Sequence, residues 1–168
     1  GIGFGGNKLF IAEAMPDIRR ISPNLLKVQT AYSGLAGNAN DVAYDGSYVY
    51  AVINGDVYTN YTGVMTKITA TALGTLSSIT YSGGYLYAAD SANNCVWKIS
   101  TAGEAVLFAG SGSSTLYGAV DGIGTAARFH HPMWITTDDT NLYVSDGDSQ
   151  IIRKVSIATA RVRTLAGE

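Results

Sequence analysis

The chain has 168 residues, which is long enough for one domain with a substantial apolar core. Its formal charge is −2 and only 14% of its residues are charged, which argues against a general nucleic-acid-binding protein. The single cysteine, Cys95, excludes an intrachain disulfide, and no apolar run approaches the roughly 18 residues that a membrane-spanning helix needs. The sequence begins on glycine rather than Met, so we expect a mature product or an excised piece.

Short apolar runs of strand length recur along the chain in a constant order. The first is found as "NKLFIAEA", "SYVYAVIN", "GYLYAADS" and "NLYVSDGD", with an aromatic residue at the same place in each copy: Phe10, Tyr50, Tyr87 and Tyr143. A second run follows each copy, as "DIRRIS", "VMTKIT", "CVWKIS" and "IIRKVS". Each unit then closes on an apolar run such as "VLFAG".

These repeats predict an all-β protein. Each unit holds four short runs separated by Gly, Asn, Asp and Ser, and no apolar stripe with a period of 3.6 residues persists for the length of an ordinary helix. Four short strands per unit of about 42 residues, in four tandem copies, are typical of β-propeller blades. We place the blades at about residues 1–37, 38–74, 75–110 and 111–168 of a single domain.

The third and fourth units resemble the NHL repeat. The matching residues are an Ala-Arg-Phe before His-Pro, the strands "LYVSD" and "IIRKV", and the closing "TLAG". The resemblance implies four-stranded antiparallel blades in a ring that usually has six of them. We therefore expect four NHL-like blades that are part of a larger, six-bladed ring or are completed by another chain. The resemblance also favours a bacterial protein that is exported or held at the cell surface.

Two glycine-rich stretches match a dinucleotide-binding fingerprint. "GIGFGG" at the start and "GIGTAA" from Gly122 both fit G-x-G-x-x-G/A, a motif that requires a preceding strand and a helix beginning within it. Strand-forming sequence follows both stretches instead. We interpret "GIGFGG" as the first strand of the first blade, and "GIGTAA" as part of a loop between blades.

Two long loops are the predicted functional surface. Asn54 to Gly63 is predicted as a long loop between the second and third strands of blade two, and Ser111 to Met133 as a long loop between blades three and four. Both should leave the same face, where binding residues concentrate. We predict binding there by Tyr58, Tyr61, Tyr117, His130, His131 and Trp134. For Phe129 we favour a structural role, filling the gap between two blades.

No residue set predicts catalysis. NHL-like propellers include lyases and lactonases with a divalent metal in the central channel, but this chain offers only His130 and His131. Consecutive residues in an extended segment before proline point in opposite directions, so the pair should chelate one ion poorly. Only Asp41 is ionisable at neutral pH among the residues expected on the innermost strands, and Cys95 has no His nearby in the sequence to act as a base. Acids such as Asp90 and bases such as Lys98 recur at equivalent positions in successive blades, which indicates ion pairing within a blade or turn capping.

The sequence therefore predicts a noncatalytic propeller that serves as a protein-interaction, assembly or scaffold module, through its long-loop face or its exposed blade edges. The expected partner is a protein or a second copy of the chain, with a glycan as a further candidate and nucleic acid ranked last. No catalytic residue, cofactor or metal ligand is assigned. The alternative is a lyase- or lactonase-like enzyme, with a divalent cation in the channel held partly by other blades.

Overall fold

The computed structural model describes residues 1–5, 8–13, 17–22, 27–35, 37–69 and 73–167. Over these ranges the chain is almost entirely β-structure, arranged in four antiparallel sheets. Sheet 1 contains β1 (Ile2–Gly5), β2 (Lys8–Ala12), β3 (Ile18–Ser22) and β4 (Lys27–Tyr32). Sheet 2 contains β5 (Ala39–Tyr44), β6 (Val49–Ile53), β7 (Asp56–Thr59) and β8 (Thr66–Lys67).

The second half of the chain is built in the same way. Sheet 3 contains β9 (Leu76–Ser82), β10 (Tyr85–Asp90), β11 (Cys95–Ser100) and β12 (Ala105–Gly110). Sheet 4 contains β14 (Pro132–Thr137), β15 (Asn141–Asp146), β16 (Ile151–Ser156) and β17 (Arg161–Ala166), with the short strand β13 (Gly122–Ile123) added beyond β17. One 3-10 turn, Gly124–Ala126, follows β13.

The sheets are stacked face to face around their first strands. The first strand of each sheet contacts the first strand of the next, in the order β1, β5, β9, β14, and the four sheets do not close into a ring. Within each sheet the remaining strands follow outward in chain order. This is the arrangement of propeller blades, and the predicted all-β fold of four-stranded antiparallel blades is confirmed.

Alternation along the strands gives sheets 2 and 3 an apolar surface on both faces. We call the face turned toward the next sheet the front face, formed in sheet 3 by Tyr87, Ala89 and Val96. The opposite one is the back face, formed in sheet 3 by Leu86, Ala88 and Ile99. Three apolar clusters fill the gaps between sheets 1 and 2, sheets 2 and 3, and sheets 3 and 4.

The predicted long loop in the second unit is wrong. Asn54 and Gly55 form a tight turn, both with positive φ (53° and 83°), and β7 begins directly after them. Asn-Gly is the strongest short hairpin signal, and it outweighs the likeness of "VMTKIT" to the third strand of other blades. Lys67 consequently lies on the fourth strand, β8, and the extra residues form the loop between β7 and β8.

The long loop before sheet 4 is confirmed and partly structured. Its residues Gly122–Ile123 pair with β17 as a fifth strand, which covers the edge of the sheet. Phe129 is fully buried in the cluster between sheets 3 and 4, in the structural role predicted for it. Neither glycine-rich stretch leads into an α-helix, because "GIGFGG" contributes β1 and "GIGTAA" contributes β13 and the 3-10 turn. Gly6 lies outside the described residues.

Candidate functional site

The inner strands are linked by polar side chains at equivalent positions. Asp41 of β5 accepts hydrogen bonds from the Ser78 hydroxyl (2.6 Å) and from the backbone N–H of Ile79 (3.0 Å), both on β9. The Ser78 Oγ in turn accepts one from the backbone N–H of Ile135 on β14 (3.2 Å). In sheets 2 and 3, one side chain therefore accepts a hydrogen bond from a backbone amide of the next sheet, which links sheets 2, 3 and 4 at their inner strands.

Asp41 is committed to this structural role. It is 5% exposed, and its other oxygen accepts the N–H of Val42 (2.9 Å). Burial raises the pKa of the Asp41 carboxyl, although the hydrogen bonds from Ser78 and two backbone amides oppose this shift. A Cβ at Gly1 would collide with the same carboxylate, so only glycine fits there. The one ionisable residue predicted on the inner strands thus joins blades and is not free for chemistry.

A cavity of about 850 Å³ runs along the inner strands. Its walls include Ile2 on one side, Trp134 and Tyr143 on the other, and the polar chain of Asp41 and Ser78 between them. Trp134 is 53% exposed and projects from the front face of sheet 4, at the register position that Asp41 and Ser78 occupy in earlier sheets. The indole cannot accept a hydrogen bond from a backbone amide, so the polar series ends at sheet 4.

The long loop brings three of the predicted binding residues together. The ring of Tyr117 stacks on His130, with centroids 4.3 Å apart. His130 Nε2 and His131 Nδ1 lie 3.5 Å and 3.7 Å from the two carboxylate oxygens of Asp148. The expectation that the two imidazoles point apart is wrong, because His131 has a φ of 58° and is not extended. Sequence reasoning missed Asp148, although the acidic turn "DGDS" was visible.

Buried polar contacts hold this loop in place. Arg153 is 0% exposed and donates to Asp121 Oδ1 (2.9 Å), Asp146 Oδ2 (3.3 Å) and the carbonyl oxygen of Arg128 (2.8 Å). Burial raises the pKa of the Asp146 carboxyl, against the opposing effects of the His130 N–H and of Arg153. Asp121 and Arg128 belong to the loop and Arg153 to β16, so the loop is fixed to the core of sheet 4. Apart from the recurrence of Asp146 at the repeat position, nothing in the sequence predicts this network.

The remaining predicted residues lie elsewhere. Tyr58 is half-buried on β7 and packs against the cluster between sheets 1 and 2. Tyr61 lies in the loop between β7 and β8, at the opposite end of the sheets from Tyr117, and its hydroxyl is 2.6 Å from that of Tyr50. Burial raises the pKa of Tyr50, with further contributions from Tyr61 and Asp45. The structure thus divides the predicted patch into the Tyr117–His130–His131 group, the separate Tyr58 and Tyr61, and Trp134.

Asp90 caps a turn and Asp146 binds the long loop, and the partners of both differ from the recurring lysines. Asp90 accepts from the indole N–H of Trp97 (3.0 Å) and from backbone amides, as Asp146 does from Arg153 and His130. Lys98 instead lies over the ring of Tyr85, at 3.7 Å from its centroid. Cys95 is fully buried, which raises the pKa of its thiol and removes it as a nucleophile. Within the described ranges, no group of three His, Cys, Asp or Glu could hold a metal ion.

Among the described residues, no helix is long and apolar enough to cross a lipid bilayer.

No family model matches the sequence, and no curated protein matches it either. Solved structures do share its fold. An auxiliary nutrient binding protein from Bacteroides thetaiotaomicron VPI-5482 matches with a TM-score of 0.76 and 16% identity, over 99% of this chain and 46% of that one. A second auxiliary nutrient binding protein, from Bacteroides ovatus ATCC 8483, matches with a TM-score of 0.56 and 17% identity, over 96% and 55%. A streptogramin B lyase matches with a TM-score of 0.70 and 11% identity, over 99% and 54%.

At these identities the likeness shows the propeller fold alone. The chain spans about half the length of each of these proteins. The same fold therefore occurs in proteins described as binding proteins and in one described as a lyase, and the fold by itself assigns neither role.

Proposed function

We propose that this chain is a noncatalytic, NHL-like propeller that acts as a protein-interaction module through the face carrying its long loop. We call this surface the loop face and define it by Leu116, Tyr117, Val120, His130 and His131. We further propose that the protein is exported or held at the cell surface. The support for NHL membership is the set of repeat residues in the last two units, including "LYVSD" and "IIRKV".

The observation that carries this proposal is a rigid loop with exposed apolar side chains. Leu116, Tyr117 and Val120 are 54%, 57% and 53% exposed. The backbone around them is nevertheless fixed, because the N–H of Gly118 donates to the carbonyl of Phe129 (3.1 Å) and Arg128 donates to Val120 (2.9 Å). A preorganised surface loses little conformational entropy on binding, and exposed aromatic residues are the commonest anchors of protein interfaces.

The chemistry of the ionisable groups supports binding over catalysis. Asp41, Asp90 and Asp146 each accept several hydrogen bonds that fix turns or join sheets. Carboxylates that accept such hydrogen bonds in several sheets have a structural role, whereas a catalytic carboxylate usually remains accessible to a substrate. The exposed Asp148 and its two histidines form a polar rim beside Tyr117.

A selection experiment tests the proposal. The purified chain is immobilised and screened against a phage-displayed library of random 12-residue peptides and against an array of defined glycans. We expect Tyr117→Ala to lose the peptides that the wild-type chain enriches. Val64→Ser is the control and should retain them, because Val64 is an exposed apolar residue away from the loop face. Enrichment of glycans only, or equal retention by Tyr117→Ala, would contradict a peptide-binding loop face. A stoichiometric, tightly held divalent ion in the purified protein would instead favour the lyase- or lactonase-like alternative.

A further inference from the structure

The back faces of sheets 3 and 4 each contain a buried acid paired with a donor on the third strand. In sheet 3 the indole N–H of Trp97 donates to Asp90 (3.0 Å), and in sheet 4 Arg153 donates to Asp146 (3.3 Å). The second oxygen of each acid accepts a backbone N–H from the segment that leads into the same sheet. Each pair therefore ties a sheet to the segment that precedes it.

Sheet 2 lacks this pair at the equivalent positions. The strand register places Ile53 where sheet 3 has Asp90, and Tyr58 where sheet 3 has Trp97. An isoleucine side chain accepts no hydrogen bond. In the part of the chain that the structure describes, the hydroxyl of Tyr58 has no hydrogen-bond partner. The gap between sheets 1 and 2 is therefore closed differently from the two gaps that follow it.

A cavity of about 530 Å³ lies in this gap. It is bounded by the end of β4, by strands β6 and β7, and by the loop between β7 and β8. Before sheet 4 the comparable space is filled by Phe129, whose ring lies beside Arg153 and is fully buried. The large side chains that line the cavity are Tyr32, Leu35, Ile53, Tyr58, Val64 and Met65.

The lining has the chemistry of a site for an uncharged small molecule. None of the described lining residues carries a charge. Its polar groups include the hydroxyl of Tyr58 and that of Tyr32, which accepts a hydrogen bond from the side-chain amide of Asn60. Burial raises the pKa of Tyr32, so this hydroxyl stays neutral. Apolar walls with a few polar groups, around a volume of about 300–1,000 Å³, are typical of small-molecule sites.

The cavity opens to solvent beside two glycines. Gly34 and Gly63 both have positive φ (65° and 85°) and both line the cavity. No heavy atom lies within 4 Å of the place that a Cβ would take at either position. The entrance between the segment after β4 and the loop after β7 is therefore free of side chains at these two points.

We propose that this cavity binds a neutral, mostly apolar small molecule that carries a hydrogen-bond-accepting oxygen. The apolar part of the ligand fills the space that Phe129 fills before sheet 4, and its oxygen accepts the hydroxyl of Tyr58. The inference goes beyond the protein-interaction role proposed for the loop face and does not depend on it, because the cavity and the loop face share no residue.

Fluorescence titration with prodan gives the first test. Prodan is a neutral naphthalene ketone whose emission moves to shorter wavelengths in apolar surroundings. We expect saturable binding of one prodan per wild-type chain, and affinity at least about ten-fold lower for Ala31→Phe, which places a ring in the cavity. Ala92→Phe is the matched control and should bind as the wild type does, because Ala92 is exposed in the turn between β10 and β11.

Three results of this titration would overturn the proposal. The first is the absence of saturable binding by the wild-type chain, and the second is equal affinity for Ala31→Phe. The third is loss of binding in Tyr117→Ala, which would place prodan at the loop face. Prodan binding that Tyr117→Ala retains supports the cavity whether or not the loop face binds peptides.

A second variant tests the role of the Tyr58 hydroxyl. Tyr58→Phe removes one hydrogen-bond donor and should weaken prodan binding about three- to ten-fold. N-phenyl-1-naphthylamine, a neutral fluorophore without an acceptor oxygen, should bind to Tyr58→Phe and to the wild type equally well. Unchanged prodan affinity, or an equal loss for both fluorophores, would contradict recognition of an oxygen by Tyr58.

Methyl NMR locates prodan without any change to the cavity, and it decides the matter if Ala31→Phe fails to fold. Met65 lines the cavity, whereas Met133 lies on β14. Prodan should shift the methyl resonance of Met65 and leave that of Met133 in place, and Met65→Leu identifies the first signal by its absence. A resonance of Met65 that prodan does not move would overturn the proposal.

Discussion

The two faces of sheet 4 are formed by the same strands but have very different surroundings. On β16, Arg153 points to the back face and is fully buried, while its neighbour Lys154 points to the front face and lies over the ring of Tyr143. Leu142 and Val144 on the back face are 0% exposed, whereas Ile152 on the front face is 38% exposed. The two faces thus differ in burial because, among the described residues, only the back face of sheet 4 packs against another sheet.

The largest expected difference between the faces comes from the basic pair on β16. Arg153→Met leaves the carboxylate of Asp146 buried without its cation and should lower the free energy of unfolding by about 3–5 kcal/mol. Lys154→Met, the matched change on the open face, should alter it by less than about 0.5 kcal/mol. Urea unfolding followed by circular dichroism measures both. Equal losses for the two variants would contradict the assignment of Arg153 as the anchor of the long loop.

A smaller difference is expected for aliphatic truncation. Leu142→Ala removes buried methyl groups between sheets 3 and 4 and should cost about 2–5 kcal/mol. Ile152→Ala, on the front face, should cost less than about 1 kcal/mol, because Ile152 is 38% exposed. The free energy of unfolding of each variant follows from its denaturant midpoint, provided that the slope of the transition is unchanged. The comparison fails if Ile152→Ala is as costly as Leu142→Ala.

The pH response of two carboxyls sharpens the contrast between covered and exposed sites. Burial raises the pKa of Asp41, while the backbone N–H of Asn141 and the hydroxyl of Tyr143 lower the pKa of the exposed Asp138. As pH rises above 3.8, the ordinary value, Asp41 ionises first in the unfolded chain, so its contribution to stability decreases until the folded pKa is passed. The contribution of Asp138 has the opposite sign and is lost as pH falls below its ordinary value.

Carboxyl carbon NMR shifts check these directions site by site. Asp41 should titrate above 3.8 and Asp138 below it. Asp41→Asn should remove the part of the stability that decreases as the pH rises above 3.8, and its missing NMR signal identifies the resonance of Asp41. An Asp41 signal that titrates below 3.8 would contradict its burial between sheets 2 and 3.

The smallest effect on stability is expected at the loop face. Tyr117 is 57% exposed, and its stacking on His130 should contribute less than about 1 kcal/mol, so Tyr117→Ala should unfold at nearly the same denaturant concentration as the wild type. The same variant should lose the peptides that the wild-type chain enriches. A large loss of stability would show that the ring supports the loop, and its use as a binding probe would then fail.

The fold could be predicted from the sequence because the repeat is self-consistent. Four tandem units, each with four apolar runs of strand length, indicate the sheets, and the buried role of Phe129 follows from its place between two units. The prediction for the second unit is wrong because "VMTKIT" resembles the third strand of the other blades, whereas the Asn54-Gly55 turn leads from β6 directly into β7. A turn formed by two adjacent residues is a stronger constraint than similarity of apolar letters.

The candidate site was only partly predictable. Tyr117, His130 and His131 are close in sequence or share one loop, and they do lie together. The prediction places Tyr61 at the wrong end of the sheets, because its loop follows the third strand of sheet 2 and not the second. The contact of both imidazoles with Asp148 depends on the left-handed backbone of His131, which no neighbouring residue signals.

Titration calorimetry with one peptide enriched by the wild-type chain tests the central claim most directly, because it asks whether the loop face binds. We expect the wild-type chain and Val64→Ser to bind the peptide equally well, and Tyr117→Ala to bind it at least about ten-fold more weakly. Equal affinity for all three proteins would contradict the account, because Tyr117 would then take no part in binding.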